Sequence, residues 1–474
     1  MRKTKIICTI GPASESEEML RELIRAGMNI ARFNFSHGTH EEHEAKFQRL
    51  RKLRISMNLP IGTLMDTKGP EIRLRNFRGG KAELKRGQTF TLTTEQIEGD
   101  EHRAAISYPD LPSDVQPGGH ILIDDGLIGL EIQKVEGTEI VCTVLNDGKV
   151  SDKKGINVPD CDLSMPFISE QDRSDIEFGC RLGYDFIACS FTRSADDIRE
   201  VRSILDAHDS KMQVIAKIEN MQGVRNIAEI LDICDGVMVA RGDLGVEVPL
   251  EEVPLIQKQI IRSALRRGKI VITATQMLDS MMHNPRPTRA ETTDVANAIY
   301  DGTTAIMLSG ESAAGQYPVE SVKMMAKIAA RAEEDIDYRE RRELIVKEER
   351  KTSYEETAAI CHACCTIAEE INADAVIAVT ISGFTAKRLS GLTPTAPVIA
   401  CTTNARVACQ MNMLFGVVPL IIGIEEHEDA LFETALQRAK MTGILNAGDK
   451  VVLAAGVPLG KSGNTNMIRI FEIS

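Results

Sequence analysis

The sequence predicts an α/β protein: a (β/α)8 TIM barrel with an inserted all-β lid domain and a C-terminal α/β domain. Three observations support this fold class. Apolar strand-like segments alternate with helix-like segments in two groups, three strands before residue 70 and five after residue 167. The residues between the groups show strand periodicity and many turn dipeptides. The 474 residues exceed the length that one hydrophobic core usually serves, so several domains are expected.

The first 70 residues contain three short apolar strands separated by helices. The first helix begins with Ser16, Glu17 and Glu18, residue types that favour a helix N-terminus. Repeats of this kind produce parallel strands joined by right-handed crossovers. The predicted strands are Thr4–Thr9, Asn29–Phe33 and Ile61–Met65, and the predicted helices are Ser16–Ala26 and a long charged helix that ends near Met57.

Residues 71–166 have a different pattern, in which short alternating segments are separated by turn signals. The strongest turn signals are Asp124-Asp125-Gly126 and Asn146-Asp147-Gly148. Because this insertion leaves the chain at the C-terminal end of the third strand, we expect it to cover that face of the barrel as a lid. Its predicted strands include Thr89–Thr93, His120–Ile123, Leu130–Val135 and Ile140–Leu145.

The strand–helix alternation resumes near Ser169 and supplies five more strands. The total of eight favours a closed barrel over an open doubly wound sheet. The predicted strands are Phe186–Cys189, Gln213–Ala216, Gly236–Val239, Ile270–Ala274 and Ala305–Leu308, and the helices include Ala195–Ala207, Glu251–Arg267 and Val319–Glu333.

A charged stretch, Tyr338–Lys351, precedes a last α/β unit. The predicted domains are therefore a catalytic barrel (1–70 and 167–340), a lid (71–166) and a C-terminal regulatory domain (341–474). The elements of the last unit are helix Glu355–Ile371 and strands Ala375–Val379, Val398–Cys401, Val417–Ile421 and Lys450–Ala454.

The composition argues against several function classes. A net charge of −13 disfavours general nucleic-acid binding, which needs a concentrated basic surface. The N-terminus lacks the apolar run of a signal peptide and no segment reaches bilayer length, so a cytoplasmic protein without a membrane partner is expected. The 11 cysteines lie mostly in apolar segments, as buried free thiols of a reducing compartment do. Cys361-His362-Ala363-Cys364-Cys365 lies in a helical pattern without a second ligand pair, which favours core packing over metal binding.

Two successive barrel strands end in charged residues. Val214–Asn220 carries Lys217 and Glu219, and Val237–Gly245 carries Asp243. In a (β/α)8 barrel the C-terminal strand ends form the active site. A lysine beside two carboxylates suits a phosphate substrate held through Mg²⁺ or Mn²⁺, because hard divalent cations prefer oxygen ligands. The alternative is a structural salt bridge between Lys217 and Glu219, but two consecutive strands with this ending favour a site.

The other strand ends add groups that suit a small polyanion and a metal: cations, oxygen ligands, hydroxyls and amides at an expected helix start after Gly242. No histidine is placed as an acid or base and there is no GxxxxGK[ST] loop. Phosphoryl transfer by positioning and charge neutralisation is therefore favoured over hydrolysis and over a P-loop kinase. The additional segments are Arg32–Ser36, Asp66–Lys68, Thr273–Met277 and Ser309–Ser312.

Several segments resemble sequence blocks of the pyruvate kinase family, and the resemblance extends from the first strand to the last residues, in particular to compact bacterial members without an extra C-terminal domain. It implies transfer of the phosphoryl group of phosphoenolpyruvate to ADP, giving pyruvate and ATP in glycolysis, with Mg²⁺ (or Mn²⁺) and K⁺ as cofactors and a homotetrameric assembly. The matching segments are NFSHG (34–38), DTKGPEIR (66–73), residues 214–222, MVARGDLG (238–245), TATQMLDSM (273–281), NPRPTRAE (284–291) and MLSGES (307–312).

The resemblance also implies roles for individual residues in the reaction. Lys217 would neutralise the phosphoryl group in flight, and Glu219 and Asp243 would hold the divalent metal. Arg32 would bind the substrate phosphate through its guanidinium fork. The amides of Gly242 and Asp243, with the hydroxyl of Thr275, would receive the substrate carboxylate. Protonation of the enolate is left to Thr275 or Ser309, each acting through water.

The same resemblance implies a monovalent-cation site and a nucleotide site. Glu71 accompanies potassium dependence in the family, whereas a lysine there can replace the cation, so this chain is predicted to require K⁺. The alternative is that Glu71 merely pairs with Arg73. The K⁺ ligands would be Asn34, Ser36, Asp66 and Thr67, and the residues that approach the nucleotide would be Asn34, Arg73 and Lys154.

In the C-terminal domain, Thr380–Thr385 lies between a strand and a helix and resembles the family's sugar-phosphate effector loop. Hydroxyls, a glycine and a helix N-terminus suit a phosphate, although a plain Gly/Ser/Thr turn has the same composition. The chain has no Trp for a second phosphate. The alternatives are therefore fructose 1,6-bisphosphate, with Lys461 as a substitute cation, and a monophosphate such as AMP, ribose 5-phosphate or glucose 6-phosphate. The predicted effector residues are Thr380, Ser382, Gly383, Thr385 and Lys461.

Two rival functions are compatible with parts of the pattern. A barrel lyase or aldolase that acts on a phosphorylated keto acid would also use Mg²⁺, Lys and Glu at strand ends, but it would not explain the inserted lid or the potassium ligands. A metabolite sensor on an inactivated barrel is disfavoured because Lys217 and both metal carboxylates are present.

Overall fold

The computed structural model describes residues 1–159, 161–349, 356–425, 427–458 and 463–474. Its first strands are almost completely buried, as apolar strands of a parallel sheet covered on both faces are. Side chains fix the helix starts: the Ser16 hydroxyl accepts a hydrogen bond from the Met19 amide, and Thr39 and Glu42 form a capping box. The elements are β1 (Lys5–Thr9), α1 (Glu17–Ala26), β2 (Ile30–Asn34), α2 (His40–Met57) and β3 (Gly62–Asp66).

The insertion is built mainly from strands and has its own core, which includes Phe90, Leu130 and Ile140. Asp124 and Asp125, both with positive φ, form the predicted turn between two of its strands. The elements are β4 (Ile72–Arg73), β5 (Lys81–Leu84), β6 (Thr89–Thr93), β7 (Arg103–Ala105), α3 (Leu111–Asp114), β8 (His120–Ile123), β9 (Ile128–Glu136), β10 (Glu139–Val144), β11 (Gly148–Ser151) and β12 (Gly155–Asn157). They form a seven-stranded sheet in the order β4-β12-β8-β9-β10-β6-β7 and a two-stranded sheet, β11-β5.

The second group of strands closes the barrel, whose order is β1-β17-β16-β15-β14-β13-β3-β2 and whose neighbours are all parallel. The predicted fold class is confirmed. The elements are α4 (Glu170–Leu182), β13 (Phe186–Cys189), α5 (Ala195–Ala207), β14 (Gln213–Ile218), α6 (Met221–Arg225), α7 (Ile227–Ile233), β15 (Gly236–Ala240), α8 (Arg241–Glu247), α9 (Val253–Leu265), β16 (Ile270–Ala274), α10 (Arg289–Asp301), β17 (Ala305–Leu308), α11 (Gly310–Ala313) and α12 (Pro318–Glu333).

The C-terminal unit is a five-stranded sheet in the order β20-β19-β18-β21-β22. The unit contains elements that were not predicted: a helix over most of the charged stretch, within which the predicted boundary at residue 340 falls, two further helices, Ala405–Met411 and Glu428–Lys440, and a last strand that runs antiparallel to its neighbour. The elements are α13 (Tyr338–Glu349), α14 (Glu356–Glu370), β18 (Ala375–Val379), α15 (Phe384–Gly391), β19 (Val398–Thr402), α16 (Ala405–Met411), β20 (Val417–Ile421), α17 (Glu428–Lys440), β21 (Lys450–Ala455) and β22 (Met467–Glu472).

The cysteines are free, and nine of the 11 are buried. The Cys361–Cys365 segment lies on α14, with Cys361, Cys364 and Cys365 inside the core, so core packing is its role. In the part of the chain that the structure describes, every helix is too short or too polar to cross a bilayer.

Polar contacts join the N-terminal face of the barrel to the C-terminal sheet. Lys3 Nζ donates to the carbonyls of Pro394 and Thr395 at 2.9 and 2.7 Å, and Lys5 Nζ donates to that of Val417. Asn412 Nδ2 returns a hydrogen bond to the Asn29 carbonyl at 3.1 Å. The two units are therefore joined by buried hydrogen bonds at the face opposite the predicted active site.

We expect the free energy of unfolding to depend on pH because the Lys5 ammonium is buried. Burial, with a contribution from neighbouring Arg2, lowers the pKa of Lys5 to about 7. Above that pH the folded chain releases a proton that the unfolded chain retains up to about pH 10.4, so the contribution of Lys5 to stability rises between these values. We expect the free energy of unfolding of the wild type, relative to a Lys5→Met variant, to increase from pH 7 to pH 9.5 by up to about 1.4 kcal/mol per pH unit. Thermal or denaturant unfolding followed by circular dichroism measures it, and identical pH profiles for the two proteins would contradict the assignment.

Candidate active site

Lys217, near the end of β14, lies at the centre of a buried charged cluster. Its ammonium lies 3.1 Å from Asp66 Oδ1, 2.9 Å from Glu219 Oε1 and 2.7 Å from the hydroxyl of Ser190. Burial opposes the charge, but Asp66 and Glu219 outweigh it and raise the pKa of Lys217 above its usual range. The lysine is thus fully cationic and shielded from water, a state in which its charge acts strongly on a nearby anion.

Glu219 is almost completely buried and follows β14 directly. Its Oε2 accepts a 2.6 Å hydrogen bond from the Phe191 amide, whereas its Oε1 receives no well-directed hydrogen bond and has the Lys217 ammonium as its ion-pair partner. Burial raises the pKa of Glu219 to about 7, Lys217 opposes the shift and Asp243 reinforces it. A desolvated carboxylate with an unsatisfied oxygen and an anionic neighbour suits a cation ligand.

The donor set around Glu219 and Asp243 fits Mg²⁺ or Mn²⁺. Asp243 is half-buried in the first turn of α8 and lines the cleft between barrel and lid. Within the described ranges, no group of three or more His, Cys, Asp or Glu side chains converges on one point. Two carboxylates whose remaining positions are completed by water and substrate oxygens are the usual protein contribution to a magnesium site.

Arg32 shares the carboxylate of Asp66 with Lys217. Its Nε lies 2.6 Å from Asp66 Oδ2, and its Nη1 donates to the hydroxyl of Thr9 at 2.9 Å. Burial favours the neutral acid, but the two cations prevail and lower the pKa of Asp66. Asp66 therefore holds both predicted phosphate-binding cations in place.

The four predicted K⁺ ligands lie on two adjacent strand ends. Asn34 and Asp66 are direct partners in the pairing of β2 with β3. The side-chain oxygen of Asn34 accepts a hydrogen bond from the Ser36 amide at 3.2 Å, and the Thr67 hydroxyl accepts one from the Ser190 amide at 3.1 Å. The two loops thus present amide, hydroxyl and carboxylate oxygens close together, which is a donor chemistry suited to a hard monovalent cation.

The predicted carboxylate-binding residues meet where β15 and β16 end. The Gly242 amide donates to the Thr275 hydroxyl at 2.8 Å, and that hydroxyl donates to the Ala274 carbonyl at 2.6 Å. Thr275 has φ +70, which is a strained conformation for a β-branched residue. Arg241 stabilises the turn by donating to the Thr275 carbonyl at 2.7 Å. In this state the amide and hydroxyl satisfy each other, so an incoming carboxylate would have to replace their mutual bond.

Ser309 directly follows β17 and directly precedes α11. Its amide donates to Glu311 Oε2 at 2.8 Å, and Glu311 Oε1 accepts from the Leu278 amide at 3.1 Å. The buried glutamate therefore ties the loop of Ser309 to the loop that follows Thr275, on the two strands β16 and β17 that pair directly.

Two of the three predicted nucleotide residues, Arg73 and Lys154, form ion pairs with lid residues, whereas Asn34 ends β2 of the barrel. Arg73 lies 2.7 Å from Glu71, and Lys154 lies 2.8 Å from Asp124. A cleft of about 890 Å³ between lid and barrel is lined by Glu71 and Asp243 but not by Arg73 or Lys154. In this structure both side chains are therefore paired within the lid and do not line the cleft.

The predicted effector loop follows β18. The Thr380 hydroxyl accepts a 3.0 Å hydrogen bond from the Gly383 amide, Gly383 has φ +81, and α15 begins directly after it. Thr385 shares a 2.7 Å hydrogen bond with Thr465. Thr380, Ser382 and Thr385 line a cavity of about 1020 Å³, whereas Lys461 lies outside the described residues.

Three residues that were not predicted from the sequence also contact the charged cluster around Lys217 at the barrel face. Ser190 and Phe191 follow β13 and contact Lys217 and Glu219, and Thr9 ends β1 and contacts Arg32. They lie at the C-terminal ends of β1 and β13, the two barrel strands whose ends had not been considered, so inspecting every strand end would have identified them. Their neutral side chains gave no charge signal.

The chain is similar to known proteins along almost its whole length. The family model "Pyruvate kinase, barrel domain" matches residues 1–322, and "Pyruvate kinase, alpha/beta domain" matches residues 358–471. Over 473 residues the chain is 48% identical to a pyruvate kinase of Clostridium acetobutylicum, with 99% of each chain covered. It is 49% identical to a pyruvate kinase of Geobacillus stearothermophilus, with 100% of this chain and 81% of the relative covered. A crystal structure of a pyruvate kinase from Cryptosporidium parvum superposes with a TM-score of 0.95 at 38% identity, covering 100% of this chain and 96% of the other.

Proposed function

We propose that this chain, which belongs to the pyruvate kinase family, transfers the phosphoryl group of phosphoenolpyruvate to ADP and so forms pyruvate and ATP in glycolysis. The observation that carries the proposal is the buried ammonium of Lys217, held beside Glu219 at a strand end in a site that also contains Arg32 and Asp243. Phosphoryl transfer needs such fixed charges because its catalysis is mostly positioning and charge neutralisation.

Each residue of the cluster has a task that follows from its chemistry. The Arg32 guanidinium binds the substrate phosphate, and Lys217 neutralises charge on the phosphoryl group as it moves between oxygens. Glu219 and Asp243 hold the divalent metal, which supplies charge neutralisation and a template for the phosphate oxygens when bound. The Gly242 and Asp243 amides and Thr275 receive the carboxylate, and Asn34, Arg73 and Lys154 serve the nucleotide.

The enolate formed after transfer requires a proton. Thr275 and Ser309 lie on loops that Glu311 ties together, but neither hydroxyl is acidic enough to donate directly. Their role is therefore to orient a water molecule that delivers the proton.

The direct test is pyruvate formation from phosphoenolpyruvate and ADP in the presence of Mg²⁺ and K⁺. Turnover that needs ADP supports the proposal. Conversion of a phosphorylated keto acid without ADP would instead support a barrel lyase, and binding of phosphoenolpyruvate without any turnover would support a sensor.

A potassium requirement is predicted by Glu71 and by the oxygens of Asn34, Ser36, Asp66 and Thr67. We expect turnover to fall by at least about tenfold in a buffer free of K⁺ and Na⁺, because an unoccupied cation site leaves substrate anions uncompensated. A Glu71→Lys variant should depend less on K⁺, since its ammonium supplies the missing charge. Since Glu71 pairs with Arg73 at 2.7 Å, an Arg73→Ala variant serves as the control for loss of that pair. Undiminished activity of the wild type without monovalent cations would refute the requirement.

The loop Thr380–Thr385 supports allosteric control by a phosphorylated metabolite. We expect one member of a panel (fructose 1,6-bisphosphate, AMP, ribose 5-phosphate and glucose 6-phosphate) to lower the phosphoenolpyruvate concentration at half-maximal rate several-fold. A Thr385→Val variant should lose the response and keep its basal rate, because Thr385 lines the cavity of the C-terminal domain and lies outside the barrel. A response retained in full by this variant would exclude the loop.

Family membership supports a homotetramer, which mass measurement in solution would test. The buried free thiols support a cytoplasmic location, since such thiols persist in reducing compartments.

A further inference from the structure

Ser190 contacts Lys217 but has no task in the proposed reaction. Asp66 and Glu219 approach the Lys217 ammonium as ion-pair partners, at 3.1 and 2.9 Å. Besides these charged partners, the ammonium donates a 2.7 Å hydrogen bond to the neutral hydroxyl of Ser190. Attraction between charges varies little with angle, whereas a hydrogen bond weakens steeply when it bends. The carboxylates therefore set the charge of Lys217, and Ser190 sets its direction.

The Ser190 hydroxyl is itself held in one orientation. A hydroxyl has one hydrogen, which is donated to the Thr67 carbonyl at 2.6 Å with Asp66 Oδ1 as a longer acceptor at 3.3 Å, and this leaves the oxygen lone pairs for Lys217. The Ser190 amide donates to the Thr67 hydroxyl at 3.1 Å, and the residue is 2% exposed. Ser190 is thus fixed at three points and is protected from competing water.

The surrounding backbone is shaped to this arrangement. Phe191 has φ +56, a left-handed conformation that is unfavourable for a bulky residue, and it directs the Phe191 amide to Glu219. Across the gap, Gly69 leaves no space for a side chain, because a Cβ there would lie 2.8 Å from the Ser190 Cβ. The turn after β13 therefore holds Lys217 through a side chain and Glu219 through a backbone amide.

We propose that Ser190 is a positioning residue for Lys217 in phosphoryl transfer. The inference rests on the proposed function and adds a residue to it. When the substrate enters, the Lys217 ammonium can exchange its ion pair with Glu219 for a phosphoryl oxygen. Ser190 keeps the ammonium from rotating away, so that the interaction is formed in the transition state without reorganisation.

Steady-state kinetics of a Ser190→Ala variant test this role. We expect kcat to fall about 10- to 100-fold, the effect of one hydrogen bond to a charged group. The KM for phosphoenolpyruvate should stay within about threefold, because Ser190 does not contact the substrate and the lost interaction belongs to the transition state. The pH profile of kcat should not move, because Asp66 and Glu219 still hold the charge of Lys217.

Two further variants separate positioning from packing. Ser190→Cys fills nearly the same space with a weak acceptor, so we expect a loss of kcat similar to that of Ser190→Ala. Ser321 is an equally buried serine whose hydroxyl donates to the Tyr317 carbonyl at 2.7 Å on the outer helix α12. Ser321→Ala should keep the wild-type kcat. The melting temperatures of all variants are compared by circular dichroism.

Three outcomes would overturn the inference: a Ser190→Ala kcat within twofold of the wild type, a loss confined to KM, or a shifted pH profile, which would mean that Ser190 sets the charge. Full activity of Ser190→Cys would assign the effect to packing. Absence of phosphoenolpyruvate turnover in the wild type would overturn the proposed function as a whole, whereas a normal wild-type rate with an unaffected Ser190→Ala rate overturns the positioning role alone.

Discussion

Replacing Lys217 by methionine is expected to lower kcat for pyruvate formation by about 10³-fold or more, which is the effect of removing a single cation that stabilises a phosphoryl transition state. Methionine fills most of the space that the lysine stem occupies but has no charge and no donor. Binding of phosphoenolpyruvate should persist, because Arg32 remains fixed by Asp66 and Thr9. Initial rates measure the loss of turnover, and calorimetric titration measures the retained binding.

Lys269 supplies a matched control for this substitution. It directly precedes β16, its ammonium donates to the Cys234 carbonyl at 2.8 Å, and it lies at the opposite end of the barrel strands. Lys269→Met should therefore keep the wild-type rate. A Lys217→Met enzyme that turned over at a rate close to that of the wild type would remove Lys217 from the chemistry and leave it a structural ion pair.

The barrel could be predicted because its signals are local. Each strand is a short apolar run bounded by a helix cap or a glycine, and Phe186–Cys189, Ile270–Ala274 and Ala305–Leu308 have the observed bounds. Strand ends of a closed parallel barrel all meet at one face, so the count of eight also placed Lys217, Glu219 and Asp243 on the same side.

Four elements of the C-terminal unit were not predicted from the sequence, α13, α16, α17 and β22, and the reason is identifiable for the first and the last of them. Tyr338–Glu349 is so rich in charge that it has no apolar face to indicate a helix, yet its Arg342 is buried against Glu369. The strand Met467–Glu472 lies at the edge of its sheet and is largely exposed, so its apolar pattern is weak. In both segments tertiary contacts decide the structure, and single-segment patterns do not contain them.

Most contacts between the site residues and their partners could not be predicted from the sequence. The pattern indicated that Lys217 and Glu219 share a strand end, but not that Asp66, 151 positions earlier than Lys217, bridges Lys217 and Arg32. The pair of Arg73 with Glu71 was one of the alternatives considered, whereas nothing in the pattern indicated the pair of Lys154 with Asp124. Such contacts depend on strand order and loop geometry, which a residue pattern alone does not specify.

A Glu219→Gln substitution is expected to raise the Mg²⁺ concentration needed for half-maximal activity by about 100-fold and to lower kcat as well. Loss of a residue that only hydrogen-bonds to a metal ligand already lowers metal affinity or activity by about 10- to 100-fold, and loss of a ligand should have at least that effect. The amide keeps the shape of the side chain and can still accept the hydrogen bond from Phe191, so the fold is preserved while the anionic oxygen is lost. Metal-dependent initial rates provide the measurement. Glu229→Gln, on the exposed face of α7, is the control that should not alter them.

The pH dependence of the metal requirement tests the same assignment from the opposite direction. Burial raises the pKa of Glu219 to about 7, so in the metal-free protein the carboxyl is protonated below that pH and must lose its proton to bind a cation. The apparent affinity for Mg²⁺ should therefore fall as the pH is lowered through 7, by up to about tenfold per unit, and the Gln variant should lack this slope. A wild-type affinity that is flat between pH 6 and 8 would contradict the raised pKa of Glu219, whereas an unchanged Mg²⁺ requirement in the Glu219→Gln variant would contradict its role as a ligand.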